Sequence, residues 1–243
     1  MYQNNYDSRD QYGYQPAAPD PRTLTYTVSG TMKRVYFKMT LGLIVSALAA
    51  LYCATSTAFM HYYLTHSWLM WVLIIAEFGL VFSISGGIRR MSSPMATMLF
   101  YVFAVVNGLM LSTIFLVYSP SAIVKTFFIT AGTFGAMSVY GYFTSTDLSK
   151  FGSFLFMALI GLVIASLVNI FVHSSTFDWI ISIAGVFIFV GLTAWDTQQI
   201  KTMAMMTPGD SLGRLSTLGA LTLYLDFINL FIFLLRIFGG NRD

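Results

Sequence analysis

The chain has 243 residues, of which 56% are hydrophobic and only 9% charged, with a net charge of +3. A soluble domain carries about 25% charged residues, so this composition cannot clothe a globule in water and specifies an integral membrane protein. The small net charge, with basic residues at segment ends, argues against nucleic-acid binding, and the single cysteine, Cys53, excludes an internal disulfide or a cysteine metal cluster.

Residues 1–30 are polar and rich in Tyr, Gln, Asn and Pro. They lack the layout of a signal or transit peptide and read as a disordered cytoplasmic tail. Residues 31–240 form the membrane domain, where a span needs about 20 mostly apolar residues. Seven stretches qualify: 35–60, 68–88, 95–118, 121–143, 153–173, 179–203 and 215–238. The expected fold is therefore an all-α bundle of seven transmembrane helices.

Basic residues alternate between the loops. Lys33 and Arg34 precede the first span, Arg89 and Arg90 follow the second, Lys150 the fourth, and Lys201 and Arg214 the sixth. The other short loops lack Lys and Arg, which places the N-terminus in the cytoplasm. Arg236 and Arg242 disagree, so the seventh span either crosses fully, the favoured reading, or re-enters. Trp68, Trp71 and Trp179 suit interfacial anchors. Gly42, Ser46 and Ala50 in the first span, and Gly161 and Ala165 in the fifth, have the spacing of close helix contacts. The small residues of the fourth span, from Thr130 to Gly141, predict a face turned into the bundle. Lys38 and Lys125 read as snorkelling side chains.

Three acids interrupt the apolar runs. Asp196 lies about 25 Å along the sixth span from Trp179, and Asp226 about 16 Å along the seventh from Leu215. Consecutive helices on a short loop are neighbours, which points to a carboxylate pair facing the interior. Thr222, Asp226 and Asn229 share a polar stripe with Gly219, and Glu77 lies midway along the second span. Each embedded acid costs about 3 kcal/mol on insertion scales. An arginine, Arg89 or Arg90, or a proton would relieve it. Two adjacent carboxylates at low dielectric resist joint ionisation and titrate as a unit, which makes a pH switch. A structural reading stays open beside this one: Asp196 ending a helix in the headgroup zone, Asp226 partnering Asn229 or an arginine, and Glu77 in a salt bridge. No catalytic residues emerge. The second motif of intramembrane aspartyl proteases is missing before Asp226, the last span has no Schiff-base lysine, and no hydrolase, zinc or phosphate-loop motif occurs.

The segments "AGTFGAMSVYGYFTSTDLSKFGSFLFMALIGLVIASLVNIF" (131–171), "GLTAWDTQQIK" (191–201) and "LYLDFINLFIFLLRIFGG" (223–240) together resemble the bacterial branch of the Bax inhibitor-1 family. The resemblance implies six helices around a central seventh. It implies a pH-sensitive latch of Asp196 and Asp226 with Arg89 or Arg90, adjacency leaving the arginine undecided. Its implied activity is a calcium leak, with Glu77, Asn229 and Thr222 along the ion pathway and Asp196 and Asp226 as a weak transit calcium site. Calcium is then the permeant ion and no cofactor is needed. The alternative implied role is a non-enzymatic regulator that binds a membrane-bound AAA protease. The expected setting is the bacterial inner membrane, with the lipid bilayer as partner and a monomeric or weakly oligomeric state. Trp195 stands where the family usually has tyrosine. Asn107-Gly108 stands where many members have Glu-Gly, which removes one negative charge from the ion route.

Overall fold

The computed structural model describes residues 21–240, and among these the chain is helical with no strand. In chain order the helices are α1 (Pro21–Thr55), α2 (Thr57–Thr65), α3 (Ser67–Gly87), α4 (Ser93–Leu111), α5 (Ile114–Val117), α6 (Pro120–Phe143), α7 (Ser149–Val172), α8 (Ser175–Met206) and α9 (Leu212–Phe238). Seven segments are long and apolar enough to cross a membrane: α1, α3, α4 with α5, α6, α7, α8 and α9. Local chemistry sets the breaks. Ser56, Ser92, Ser119 and Ser174 each accept a backbone N–H in the first turn of the helix they precede. Proline occupies that turn in α4 and α6, where its missing N–H costs nothing.

The last helix is the axis of the bundle. α9 packs against α8, α1, α6 and α4, and 72% of its apolar window is buried, against 11% for α3 and α7. Its buried residues, among them Ala220, Leu223, Tyr224 and Leu230, point in all directions, the pattern of a helix enclosed by protein. α3 lies outside α4, and α7 outside α8. At 27 residues α9 is about 40 Å long, more than the ~30 Å hydrocarbon core, so the seventh span is long enough to cross fully. Arg236 near its end lies 3.3 Å from Asp178 in the first turn of α8. The basic residue that disagreed with the loop charges is thus paired at the same face as the start of α8.

Several expectations need correction. α1 begins at Pro21, within the stretch read as a disordered tail, because Val28, Met32, Val35 and Met39 form a buried stripe at helical spacing. Residues 1–20 of that tail lie outside the described residues, as does Arg242. The first span ends at Thr55, where Ser56 starts α2. Gly161 is exposed with open space where a Cβ would point, so it makes no close helix contact. The inward face of α6 is narrower than its composition suggested. Thr130, Phe134, Ser138 and Gly141 are buried, whereas Gly132 and Ala136 are exposed. Close approach does occur at Gly108, which lies against the Ser46 backbone, and at Gly141, which lies against the Ala194 backbone. A methyl at either would press on the neighbouring helix.

Candidate functional site

Asp196 on α8 and Asp226 on α9 face each other, their carboxyl groups within hydrogen-bonding reach. The two helices make the most extensive contact in the bundle, and their connection through residues 207–211 is short. Asp226 is 4% exposed, and its Oδ2 has no hydrogen-bond partner among the described residues. Carboxylates are acceptors only when ionised, so a bond between two of them requires one proton. The arrangement is a two-acid pair inside an apolar bundle, with the chemistry to share a proton between its carboxyls.

The remaining candidates lie elsewhere. Arg89 and Arg90 end the second span in an exposed turn, and neither forms an ion pair with Asp196 in this conformation. Asn229 donates from Nδ2 to the Leu225 carbonyl of its own helix at 2.8 Å and lines a cleft with Ser166 and Leu162. Thr222 is half-buried on α9. Glu77 joins a separate network, in which Asn107 Nδ2 donates to Glu77 Oε1 at 2.8 Å and the Tyr224 hydroxyl donates to Asn107 Oδ1 at 2.8 Å. Ser46 Oγ lies 2.6 Å from the Tyr224 hydroxyl. Tyr224 and Asp226 are two residues apart, about 200° around the helix. The Glu77 network and the acid pair therefore occupy opposite sides of α9.

Asn107, which stands where many relatives carry glutamate, is the hinge of that network. Its amide both donates and accepts, so it joins Glu77 to Tyr224 without adding charge. Tyr224 and Ser46 have nothing in their local sequence to mark them as partners. Lys38 also departs from expectation. It does not snorkel: Nζ lies 2.7 Å from Thr217 Oγ1, 3.0 Å from Thr97 Oγ1, 3.1 Å from Ser216 Oγ and 3.2 Å from the Gly213 carbonyl. One ammonium thus ties α1 to α4 and to the first turns of α9. Below the acid pair, Gln198 on α8 accepts the Leu148 N–H and donates to the Thr146 carbonyl, while Lys201 donates to the Tyr142 carbonyl at 2.6 Å. These bonds fix α8 against the α6–α7 loop.

Among the described residues, no three His, Cys, Asp or Glu side chains come together as a metal cluster. The acid pair offers at most four carboxylate oxygens, fewer than the 6–8 that calcium prefers. A cation there would be held weakly, with water or backbone carbonyls completing its shell.

Seven helices long and apolar enough to cross a membrane, the last of them buried among α1, α4, α6 and α8 and with paired acids between the last two, define a multi-pass membrane bundle. Residues 28–243 match the family described as Inhibitor of apoptosis-promoting Bax1, and the chain belongs to that Bax inhibitor-1 family. It is 50% identical over 214 residues to the Inner membrane protein YbhL of Escherichia coli (strain K12), covering 87% of this chain and 92% of that protein. An uncharacterized protein of Borreliella burgdorferi is 45% identical over the same length, with the same two coverages. An uncharacterized protein of Caulobacter vibrioides is 37% identical over 245 residues, covering 95% of this chain and 98% of its own.

Proposed function

We propose that this protein is a proton-sensitive cation leak of the inner membrane, calcium being the favoured ion, with Asp196 and Asp226 as its gate. The observation that carries the reading is the pair of carboxyls within hydrogen-bonding reach between α8 and α9, one of them almost wholly buried with a free oxygen. A structural role would be served at lower cost by a neutral pair. With one proton on the pair, the acids bond to each other and hold the two helices together. Without it, two adjacent anions repel and attract a cation, because an acid must be deprotonated to serve as a ligand. Arg89 or Arg90 is the counter-charge that would engage Asp196 when the pair opens. Weak coordination suits passage, since the ion must leave as well as enter. The inner-membrane setting rests on seven candidate spans and on the name carried by the Escherichia coli relative.

The test is calcium influx into proteoliposomes across pH 5.5 to 8. Influx above protein-free liposomes, greater at pH 8 than at pH 5.5, supports the reading. Absence of influx from folded protein overturns it.

A further inference from the structure

α1 and α6 each pack on α9 but hardly touch one another. The gap between them is a cleft of about 820 Å³ that runs from Ser29 to Leu43 along α1, about 21 Å, with Phe227 of α9 among its lining residues. Its inner walls are apolar, formed by Met39, Leu43, Ala131, Phe134 and Phe227. The end near Lys33 is polar, and Lys33 is exposed there. Ser138 lines the cleft at 5% exposure, and its hydroxyl has no hydrogen-bond partner among the described residues. A serine within a helix ordinarily bonds back to a carbonyl of the preceding turn, as Thr130 does to Thr126 on this helix. A buried hydroxyl left unpaired costs about 1–3 kcal/mol, which points to an acceptor supplied from outside the protein.

The chemistry of these groups matches one class of molecule. Ser138, Tyr36 and Lys33 all line this one cleft. A cation at one end, an unpaired hydroxyl in the wall and an apolar trench between the helices supply the partners that the phosphate, ester and acyl chain of a phospholipid require. The cleft opens sideways, where the surrounding solvent is lipid. Basic pockets between membrane helices are known sites for anionic headgroups.

We propose that the α1–α6 cleft binds one phospholipid, its phosphate against Lys33, a glycerol-ester carbonyl accepting the Ser138 hydroxyl, and one acyl chain lying between Met39, Leu43, Phe134 and Phe227. The site is independent of the ion-leak reading, although the bound chain would brace α1 and α6 against α9 on the face next to Asp226.

Gly135 gives the test a clean variant, because it lines the cleft and a Cβ there meets only open space. Gly161 on α7 also has open space at Cβ but lies outside the cleft, so it serves as the control. The protein is purified in detergent doped with phosphatidylglycerol, and retained lipid is counted by native mass spectrometry. Wild type and Gly161→Leu should each keep one phosphatidylglycerol. Gly135→Leu should lower its occupancy at least tenfold, and Ser138→Ala and Lys33→Gln several-fold each. Lys33 is exposed, so Lys33→Gln keeps the test decisive even if Gly135→Leu fails to fold. Equal occupancy in wild type, Gly135→Leu and Lys33→Gln would overturn the site, as would an equal loss in Gly161→Leu.

Discussion

Tyr224 is fully buried, and its hydroxyl reaches Ser46 on one side and Asn107 on the other. Removing that oxygen takes the donor from Asn107 Oδ1, while Ser46 Oγ keeps the Gly42 and Ala104 carbonyls. Tyr224→Phe should therefore lower stability by about 1–3 kcal/mol in detergent unfolding. Adding Asn107→Leu should cost less than the sum of the two single changes, since both act on one network. Lys38 makes the same argument with a charge. Lys38→Met strips the shared donor from Thr97, Ser216 and Thr217, and a melting point several degrees lower is expected. At this scale the sequence was informative only where chemistry broke a local pattern. Asp196 and Asp226 stood out because a carboxylate in an apolar run is anomalous whatever it touches. Tyr224 and Asn107, 117 positions apart, are each ordinary in their own helices. Lys38 follows Lys33 and Arg34 at the start of a span, where a basic residue normally lies at the headgroups.

Helix existence was legible and helix facing much less so. Hydropathy located every crossing, because each must carry about 20 apolar residues regardless of its neighbours. The same rule hides which side faces protein, since lipid and bundle interior are equally apolar. Gly161 and Ala165 have the spacing of a contact motif, but only Ala165 packs on the core and Gly161 faces open space, whereas Gly141 sits hard against α8. Gly141→Leu should therefore be severely destabilising, by 3 kcal/mol or more as the α6–α8 contact is forced apart, while Gly161→Leu should change stability by less than about 0.5 kcal/mol. Thermal unfolding of the two variants in one detergent separates these outcomes. The start of α1 was missed for a related reason. Residues 21–31 are mostly Thr, Ser and Tyr, and only the spacing of Val28 with Met32, Val35 and Met39 marks a helix that packs before it becomes apolar.

At the scale of the whole molecule, α9 is a polar-sided axis in an apolar sleeve. One side carries the tyrosine that links α1, α4 and α3 through neutral and acidic groups, and the other carries the acid paired with α8. The central position of the last helix came from family resemblance, because composition alone cannot rank seven apolar helices by burial. The separation of Glu77 from the acid pair was not legible at all, since it depends on a rotation about α9. Under the proposed leak, proton sensitivity belongs to the α8–α9 side and rigidity to the α1–α4 side. Glu77→Gln should then keep a pH-dependent flux, while changes at the acid pair remove it. The measurement that bears most directly on this account is calcium influx into proteoliposomes at pH 5.5 to 8 for Asp196→Asn and Asp226→Asn beside the wild type. The account predicts a wild-type flux that rises with pH and profiles that are flat in both variants. A pH profile unchanged by either substitution, in protein shown to be folded, would contradict it and return the alternative of a protease regulator to first place.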